Sequence, residues 1–369
     1  MHPGARIDVG PPPHFLTAGP RLGFGAWAVG GAGWGPAGAE GDRFAAVRRA
    51  VERGITFFDT APAYGDGASE ELLGRALGPQ RAHVTIATKV GPRDDPRRSL
   101  EGSLRRLATD HVDLVQLHEA LEGWEQRLEQ LQVLREEGKA LALGLCNATH
   151  LQLTRARQIA PLVAYQGPYN LFDRDVEQRE LPWCRMHGLA FLAYRPLAAG
   201  LLVGKYATAP RFPAADHRSG IYWFKGAEFE RRRRVIERLR VLAASREISL
   251  AALGLGWLLA RPGVAVVLAG ARSAAQVDDN LAAQPLSPDD VAAIDAAVTA
   301  VFRPARATEH ARRIAPTWGA RERHIVERLD GSNSYEAIAA DWTDRGEQPM
   351  VAAQVKLLCD QLAEQGLVE

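Results

Sequence analysis

One rhythm constrains this chain more than any other feature. From about residue 40 to about residue 300, short apolar, β-rich runs alternate with helical patterns. Ile55–Phe58, Val84–Thr88, Val112–Leu117, Leu141–Leu145, Leu162–Gln166, Leu189–Tyr194 and Val264–Leu268 are apolar on both faces and bounded by turn residues. Strands of a parallel sheet covered on both sides read this way. An eighth run, Leu22–Val29, precedes the first helix. Between the runs, Ala46, Val47, Ala50 and Val51 share one face of a helix over Arg43–Arg53, which stops at Arg53-Gly54. Leu128, Leu131 and Leu134 mark another, ending at Gly138. Eight strands alternating with helices predict the α/β class and a (β/α)8 TIM barrel. A doubly wound sheet is the alternative, but no Gly-x-Gly-x-x-Gly opens a βαβ unit. Residues before about 20 are expected to form a small hairpin closing the barrel bottom.

The pattern changes after residue 302, so the chain reads as a barrel over 1–302 and a small helical module over 303–369. Ile325, Val326 and Leu329 share a helical face. Asp330-Gly331 makes a turn, and Ser332–Ser334 can cap a helix carrying Ile338, Ala339 and Trp342. Val351, Val355, Leu358 and Leu362 form a stripe that ends at Gly366. Three short helices and a terminal Leu-Val predict a winged-helix-like module. From Val301 onward there are nine Lys/Arg and eleven Asp/Glu. A DNA reader needs positive charge on one face, so nucleic acid is not an expected partner.

Charge and cysteine usage narrow the class further. The 369 residues are 46% hydrophobic and 24% charged, ordinary values that exclude a disordered or fibrous chain. Lys+Arg and Asp+Glu are 45 and 44, a net charge of +1, so no global field draws the protein to nucleic acid or an anionic membrane. Cys146, Cys184 and Cys359 are far apart and form no Cys-x-x-Cys pair. This predicts neither a disulfide framework nor a metal site and suits a reducing, cytoplasmic compartment. The first 20 residues are rich in Gly and Pro without an apolar core segment, so no signal peptide is expected. No apolar stretch of about 18 residues predicts a membrane span.

Reactive side chains of such a barrel sit at the C-terminal ends of its strands. Asp59, Thr60, Ala61, Pro62, Ala63 and Tyr64 follow one strand, Lys89 ends the next, and His118 ends the one after. Taken singly, Asp59-Thr60 is as readily a helix cap, Tyr64 a packed aromatic, and Lys89 and His118 loop or core residues. Their placement after three successive strands favours chemistry. A free phenol has a pKa of about 10. A neighbouring ammonium stabilises the phenolate, a carboxylate holds that ammonium, and an imidazole orients a carbonyl oxygen. The expectation is a Tyr64 whose pKa is lowered, protonating an oxygen while a hydride arrives from elsewhere.

Over about residues 20–300 the chain resembles the aldo-keto reductase superfamily. The matching text is Gly54-Ile55-Thr56-Phe57-Phe58-Asp59-Thr60-Ala61-Pro62-Ala63-Tyr64-Gly65, then Ser69-Glu70, Ile86-Ala87-Thr88-Lys89, and Asp113-Leu114-Val115-Gln116-Leu117-His118. The resemblance implies that Asp59, Tyr64, Lys89 and His118 form a catalytic tetrad with Tyr64 as general acid. It also implies NADPH as cofactor, with transfer of the pro-R hydride. Gly144-Leu145-Cys146-Asn147 looks like the family's Gly-Val-Ser-Asn, whose Asn holds the nicotinamide amide, with Cys146 in place of Ser. Gln166 is similar to the second amide ligand. Tyr194-Arg195-Pro196-Leu197 resembles Tyr-Ser-Pro-Leu, whose Tyr stacks on nicotinamide, with Arg195 in place of Ser, and the resemblance implies that Tyr194, Arg195 and Leu197 bind the cofactor. Gly200 and Lys205 resemble the pyrophosphate clamp. Gly270, Arg272, Ser273, Gln276, Asp279 and Asn280 resemble the adenosine end, where Arg272 and Ser273 would hold a 2′-phosphate. Asp279 stands where the family commonly has Glu.

Trp27, Trp34, Tyr169, Tyr222 and Trp223 are candidates for the substrate mouth, with lid packing as the plainer reading. The run Arg231–Arg234, in the helical stretch Glu230–Arg240, reads as a solvated face. The expected function is NADPH-dependent reduction of an aldehyde or ketone to an alcohol. A second reading is a pathway-specific reductase of a ketosugar or a peptide-bound carbonyl, with a peptide held by the C-terminal module, which weakly resembles peptide-binding winged helices. A third is a cofactor-bound regulatory subunit without turnover, which the complete tetrad disfavours.

Overall fold

The computed structural model describes Leu16, residues 19–31, 33–35 and 38–301, and ten positions beyond them (324, 325, 328, 329, 335, 338, 355, 356, 358 and 359). The chain divides into two compact units, Met1–Ala297 and Val298–Glu369.

In the first unit, eight parallel strands close into a barrel in sequence order. They are β1 Leu22–Gly25, β2 Phe57–Asp59, β3 Thr85–Val90, β4 Val112–Leu117, β5 Ala140–Cys146, β6 Leu162–Pro168, β7 Ala190–Tyr194 and β8 Val264–Ala269. The helices are α1 Glu40–Glu52, α2 Ala68–Leu77, α3 Pro96–Leu107, α4 Trp124–Glu136, α5 His150–Ala156, α6 Glu180–His187, α7 Gly226–Ser245, α8 Leu250–Leu259, α9 Ala274–Leu281 and α10 Pro288–Thr299. The expected run Leu22–Val29 is corrected: the strand ends at Gly25, and Ala26–Gly30 winds into a 3₁₀ turn.

Local chemistry sets these boundaries. The carboxylate of Asp95 caps α3 by accepting from the Arg98 N–H at 2.8 Å, with Pro96 in the first turn, where a missing N–H costs nothing. Thr149 and Gln152 form a reciprocal capping box on α5. Gly54, at φ +85, lets the chain turn back after α1 into β2. In α4, Leu128, Leu131 and Leu134 are buried as their spacing predicts.

Alternate side chains of each strand point into the barrel. Phe57, Ala87, Leu114, Ala142, Ala164, Leu192 and Val266 form an apolar floor there, joined by Leu16. Leu16 is helical and Gly19 lies in a bend; the rest of the stretch expected to form a hairpin lies outside the described residues. Two positions further along β2–β7, the inward residues are Asp59, Lys89, Gln116, Gly144, Gln166 and Tyr194, while β8 places the apolar Leu268 there. The interior thus changes from dry to polar within one layer, at the end where β2–β7 terminate.

Of the second unit, Ile325, Leu329, Ile338, Val355 and Cys359 are buried, and His324 Nε2 lies 3.3 Å from the Ile338 carbonyl. The expected turn at Asp330-Gly331, the cap over Ser332–Ser334, and Ala339, Trp342, Val351 and Leu362 lie outside the described residues. All three cysteines are free and buried. Among the described residues, no single helix is long and apolar enough to cross a membrane.

Candidate active site

Register places the polar layer. Asp59 pairs with Ala87 across β2 and β3, Lys89 with Gln116 across β3 and β4, Gln116 with Gly144, and Cys146 with Gln166. Lys89 is fully buried and donates from Nζ to Asp59 Oδ2 at 2.7 Å and to the Thr60 carbonyl at 2.8 Å. Asp59 Oδ1 accepts from Gln166 Nε2 at 2.7 Å and from Gln116 Nε2 at 3.4 Å. A buried carboxylate needs such donors, because water is not there to supply them. Asp59-Thr60 is therefore no helix cap: Thr60 instead shares a 2.9 Å hydrogen bond with Ser69.

Tyr64 stands beside this network. Lys89 Nζ is 4.8 Å from its ring centroid, His118 packs edge-on at 6.0 Å, and Trp27 stacks on it at 5.7 Å. Two glycines hold the Tyr64 turn. A Cβ on Gly65 would sit 2.1 Å from the Gly30 carbonyl oxygen, and one on Gly30 would sit 2.6 Å from that of Tyr64. Gly65 also has φ +66, which a side chain would resist.

Burial governs the electrostatics. It pushes the Tyr64 phenol up to about 12, with Lys89 pulling the other way and Asp59 adding to the rise. The expected lowering of Tyr64 is thus corrected: Lys89 is paired with Asp59, so its opposing pull is outweighed by the loss of water around the phenolate. Burial also opposes charge on Lys89, but Asp59 and Tyr64 outweigh it and raise its pKa. Burial, then Lys89, lowers His118 to about 3, so its imidazole is neutral near pH 7. Buried Cys146 has its thiol pushed up, chiefly by desolvation.

From Asp59 and Tyr64 a cleft runs across the strand ends. Trp27, Trp34, Tyr194, Arg195, Leu197, Gly200, Lys205, Gly270, Arg272, Gln276, Asp279 and Asn280, all expected site residues, line it. Asn147, Gln166 and Ser273 stand beside it in structural roles. Asn147 donates to the His118 carbonyl at 3.1 Å and accepts from the Tyr194 hydroxyl at 2.8 Å. Gln166 donates to Asp59, and Ser273 caps α9. The Arg272 backbone N–H donates to Gln276 Oε1 at 2.8 Å, its guanidinium to the Trp34 carbonyl at 3.2 Å, and Asn280 to the Gly270 carbonyl at 3.3 Å.

Three expected mouth residues lie elsewhere. Tyr169 is fully buried, packs edge-on against Phe191 and Trp257, and donates to Glu177. It therefore belongs to the packing outside the sheet. Tyr222 is exposed and Trp223 buried, and neither lines the cleft. Both flank Arg232, whose guanidinium lies 5.3 and 5.8 Å from their rings. The solvated reading of Arg231–Arg234 is corrected at Arg232, which is 3% exposed and paired with Glu228. Sequence reasoning missed Arg218, a buried cation lining the cleft and bound by both Asp216 oxygens, and His217, which packs on Trp27 and Trp34. It missed Gln116 too, although the alternation of β4 aims residue 116 inward with Leu114.

The comparisons with known proteins agree with this architecture. The model of the aldo/keto reductase family matches residues 21–299. Aldo-keto reductase YhdN of Bacillus subtilis is 35% identical over 275 residues, covering 70% of this chain and 83% of that protein. A probable aldo-keto reductase of Glycine max is 32% identical, covering 71% and 80%. Among solved structures, a glycerol dehydrogenase of Gluconobacter oxydans superposes with a TM-score of 0.69 at 32% identity, covering 76% of this chain and 92% of that one. An aldo/keto reductase of Klebsiella pneumoniae, in complex with NADP and acetate, gives 0.60 at 29% identity, covering 75% and 90%. A barrel of eight parallel strands, a strand-end Asp–Lys–Tyr–His cluster and these similarities lead to one conclusion: the chain belongs to the aldo/keto reductase family.

Proposed function

We propose that the protein is an NADPH-dependent reductase of aldehydes or ketones. The observation that carries this reading is the Lys89–Asp59 pair under Tyr64, beside a cleft that also holds Lys205, Arg218 and Arg272. The residues of the cleft suit the cofactor. Tyr194 offers an aromatic face near Asn147, whose amide can meet a carboxamide. Gln166 spends an N–H on Asp59, which leaves its amide oxygen to accept from the same group. Lys205 and Arg272 suit phosphates, with Arg272 and Ser273 assigned to the 2′-phosphate, while Arg218 is already paired with Asp216. NADPH, when bound, supplies the hydride for the carbonyl carbon.

The chain's own groups handle the oxygen. Tyr64 keeps its proton at neutral pH and gives it to the carbonyl oxygen as the alcohol forms. Its high pKa does not block that step, because an alkoxide is a far stronger base than a phenolate. Lys89⁺ favours the phenolate left behind, and Asp59 holds the ammonium in place. Neutral His118 directs an N–H at the same oxygen. Tyr64→Phe removes the proton donor and keeps the ring. Turnover followed by NADPH absorbance should fall by about 10²–10⁴-fold, with NADPH binding by fluorescence retained. Undiminished turnover would sink the assignment.

A second reading rests on the separate unit from Val298 onward. Residues 303–369 would form a small winged-helix-like module that binds a larger substrate, a ketosugar or a peptide-bound carbonyl. Deletion of this segment would then cost activity on large carbonyls and spare small aldehydes.

A further inference from the structure

We infer that Arg195 is an oxyanion-recognising residue, and that the carbonyl substrate carries a carboxylate or phosphate on the carbon chain beyond the reacting carbon. The inference rests on the reductase reading above and deepens it to a substrate class.

Four cations line the cleft: Arg195, Lys205, Arg218 and Arg272. Arg218 is engaged by both oxygens of Asp216, and Arg272 is tied to the Trp34 carbonyl. The proposed binding of NADPH gives Lys205 and Arg272 to the phosphates of the cofactor. Arg195 is left over. Its Nε is buried without a hydrogen-bond partner, and its Nη2 reaches the Tyr194 hydroxyl at 3.3 Å. Among the described residues it forms no ion pair, although Asp173 lies within reach of its charge. A guanidinium keeps its charge at every working pH and presents paired N–H groups that match an oxyanion.

Its location points to substrate. The Tyr194 hydroxyl that Arg195 contacts donates to Asn147, and Asn147 donates to the carbonyl of His118. The guanidinium is thus linked to the reacting end of the cleft by three hydrogen bonds. The charge of Arg195 also acts on His217, which packs against the Trp27–Trp34 wall. The backbone keeps it there. Arg195 sits at φ +53, a region that side chains other than Asn and Gly resist, and its carbonyl accepts from Asn170 Nδ2 at 3.1 Å. Its guanidinium lies 5.1 Å from the centroid of the Tyr194 ring, on the wall of the cleft.

The test uses the full chain with saturating NADPH. Turnover of 4-oxobutanoate is compared with that of butanal, and glyceraldehyde 3-phosphate with glyceraldehyde, to separate carboxylate from phosphate. The native protein should favour one anionic member of a pair. Arg195→Asn, which keeps the left-handed backbone, should lower the anionic-to-neutral ratio of kcat/KM by about 10–100-fold, the worth of a charge-assisted hydrogen bond. Arg195→Lys should recover part of it. A ratio unchanged by Arg195→Asn, or a fall matched by an equal weakening of NADPH binding, overturns the inference. Native turnover of butanal without preference for either anion overturns it too and leaves the reductase reading standing. No turnover of any aldehyde overturns both.

Discussion

Tyr64 shows how much one residue's chemistry depends on its neighbours. Composition and strand-end position identify a phenol next to an ammonium, which taken alone predicts a lowered pKa. In the barrel, desolvation outweighs that pull and the phenol stands at about 12. The sign matters for direction. Reduction needs the protonated phenol, which is the dominant form at every pH well below 12. Oxidation of an alcohol needs the phenolate, a fraction that grows about tenfold per pH unit below the pKa. The measured kcat/KM for alcohol oxidation should therefore climb steadily between pH 7 and 10, with no fall in reduction from Tyr64 ionising. An oxidation profile that levels off near pH 8 would contradict the raised value. Neutral His118, at about 3, adds no titration in this range.

At the scale of elements, the motif Ser69-Glu70 on α2 turns out to be a joint. Ser69 donates to the Ala26 carbonyl at 2.9 Å. Glu70, fully buried, accepts from Thr88 of β3 at 2.5 Å and from Arg106 of α3 at 2.7 Å. Two helices and the strand carrying Lys89 thus meet at one carboxylate. Arg106→Met leaves that buried charge without its partner, which should cost about 3–5 kcal/mol in urea unfolding. The double variant Arg106→Met/Glu70→Leu should lose much less, since no buried charge is then orphaned. Equal losses would show that packing, not charge, governs the joint. Close packing supports the same contact, because a Cβ on Gly74 would lie 2.7 Å from the Arg106 carbonyl oxygen.

Element positions were legible where the signal is local. Strand runs, the Gly54 and Gly138 stops and the buried leucines of α4 follow from spacing alone. The end of β1 was not legible, because Ala26–Val29 is as apolar as a strand while winding into a 3₁₀ turn. Tyr169 was misplaced for a related reason. It follows Pro168, the last residue of β6, and an aromatic there reads equally as rim or as packing. Its burial against Trp257 comes from α8, nearly 90 residues away in sequence. The pairing of Arg232 with Glu228 lies within one helix turn, yet its burial among Phe172, Tyr222 and Trp223 does not.

For the whole molecule, the first compact unit contains every strand of the barrel and every residue lining the cleft. A chain ending at residue 302 keeps α10 complete and should still melt cooperatively and oxidise NADPH with a small aldehyde. An insoluble or inactive product would assign the barrel's integrity to residues 303–369. By itself, the sequence determined the number and order of the strands, their parallel burial, and the side chains at their C-terminal ends. Those are consequences of short-range periodicity and of alternation along a strand. Only the tertiary structure decided which groups share a proton field, which cations are already neutralised, and which aromatics face the cleft. Asp59 and Gln166 are 107 positions apart, and Arg272 and Trp34 are 238 apart. Desolvation and ion pairing depend on such distances in space, and no local pattern encodes them.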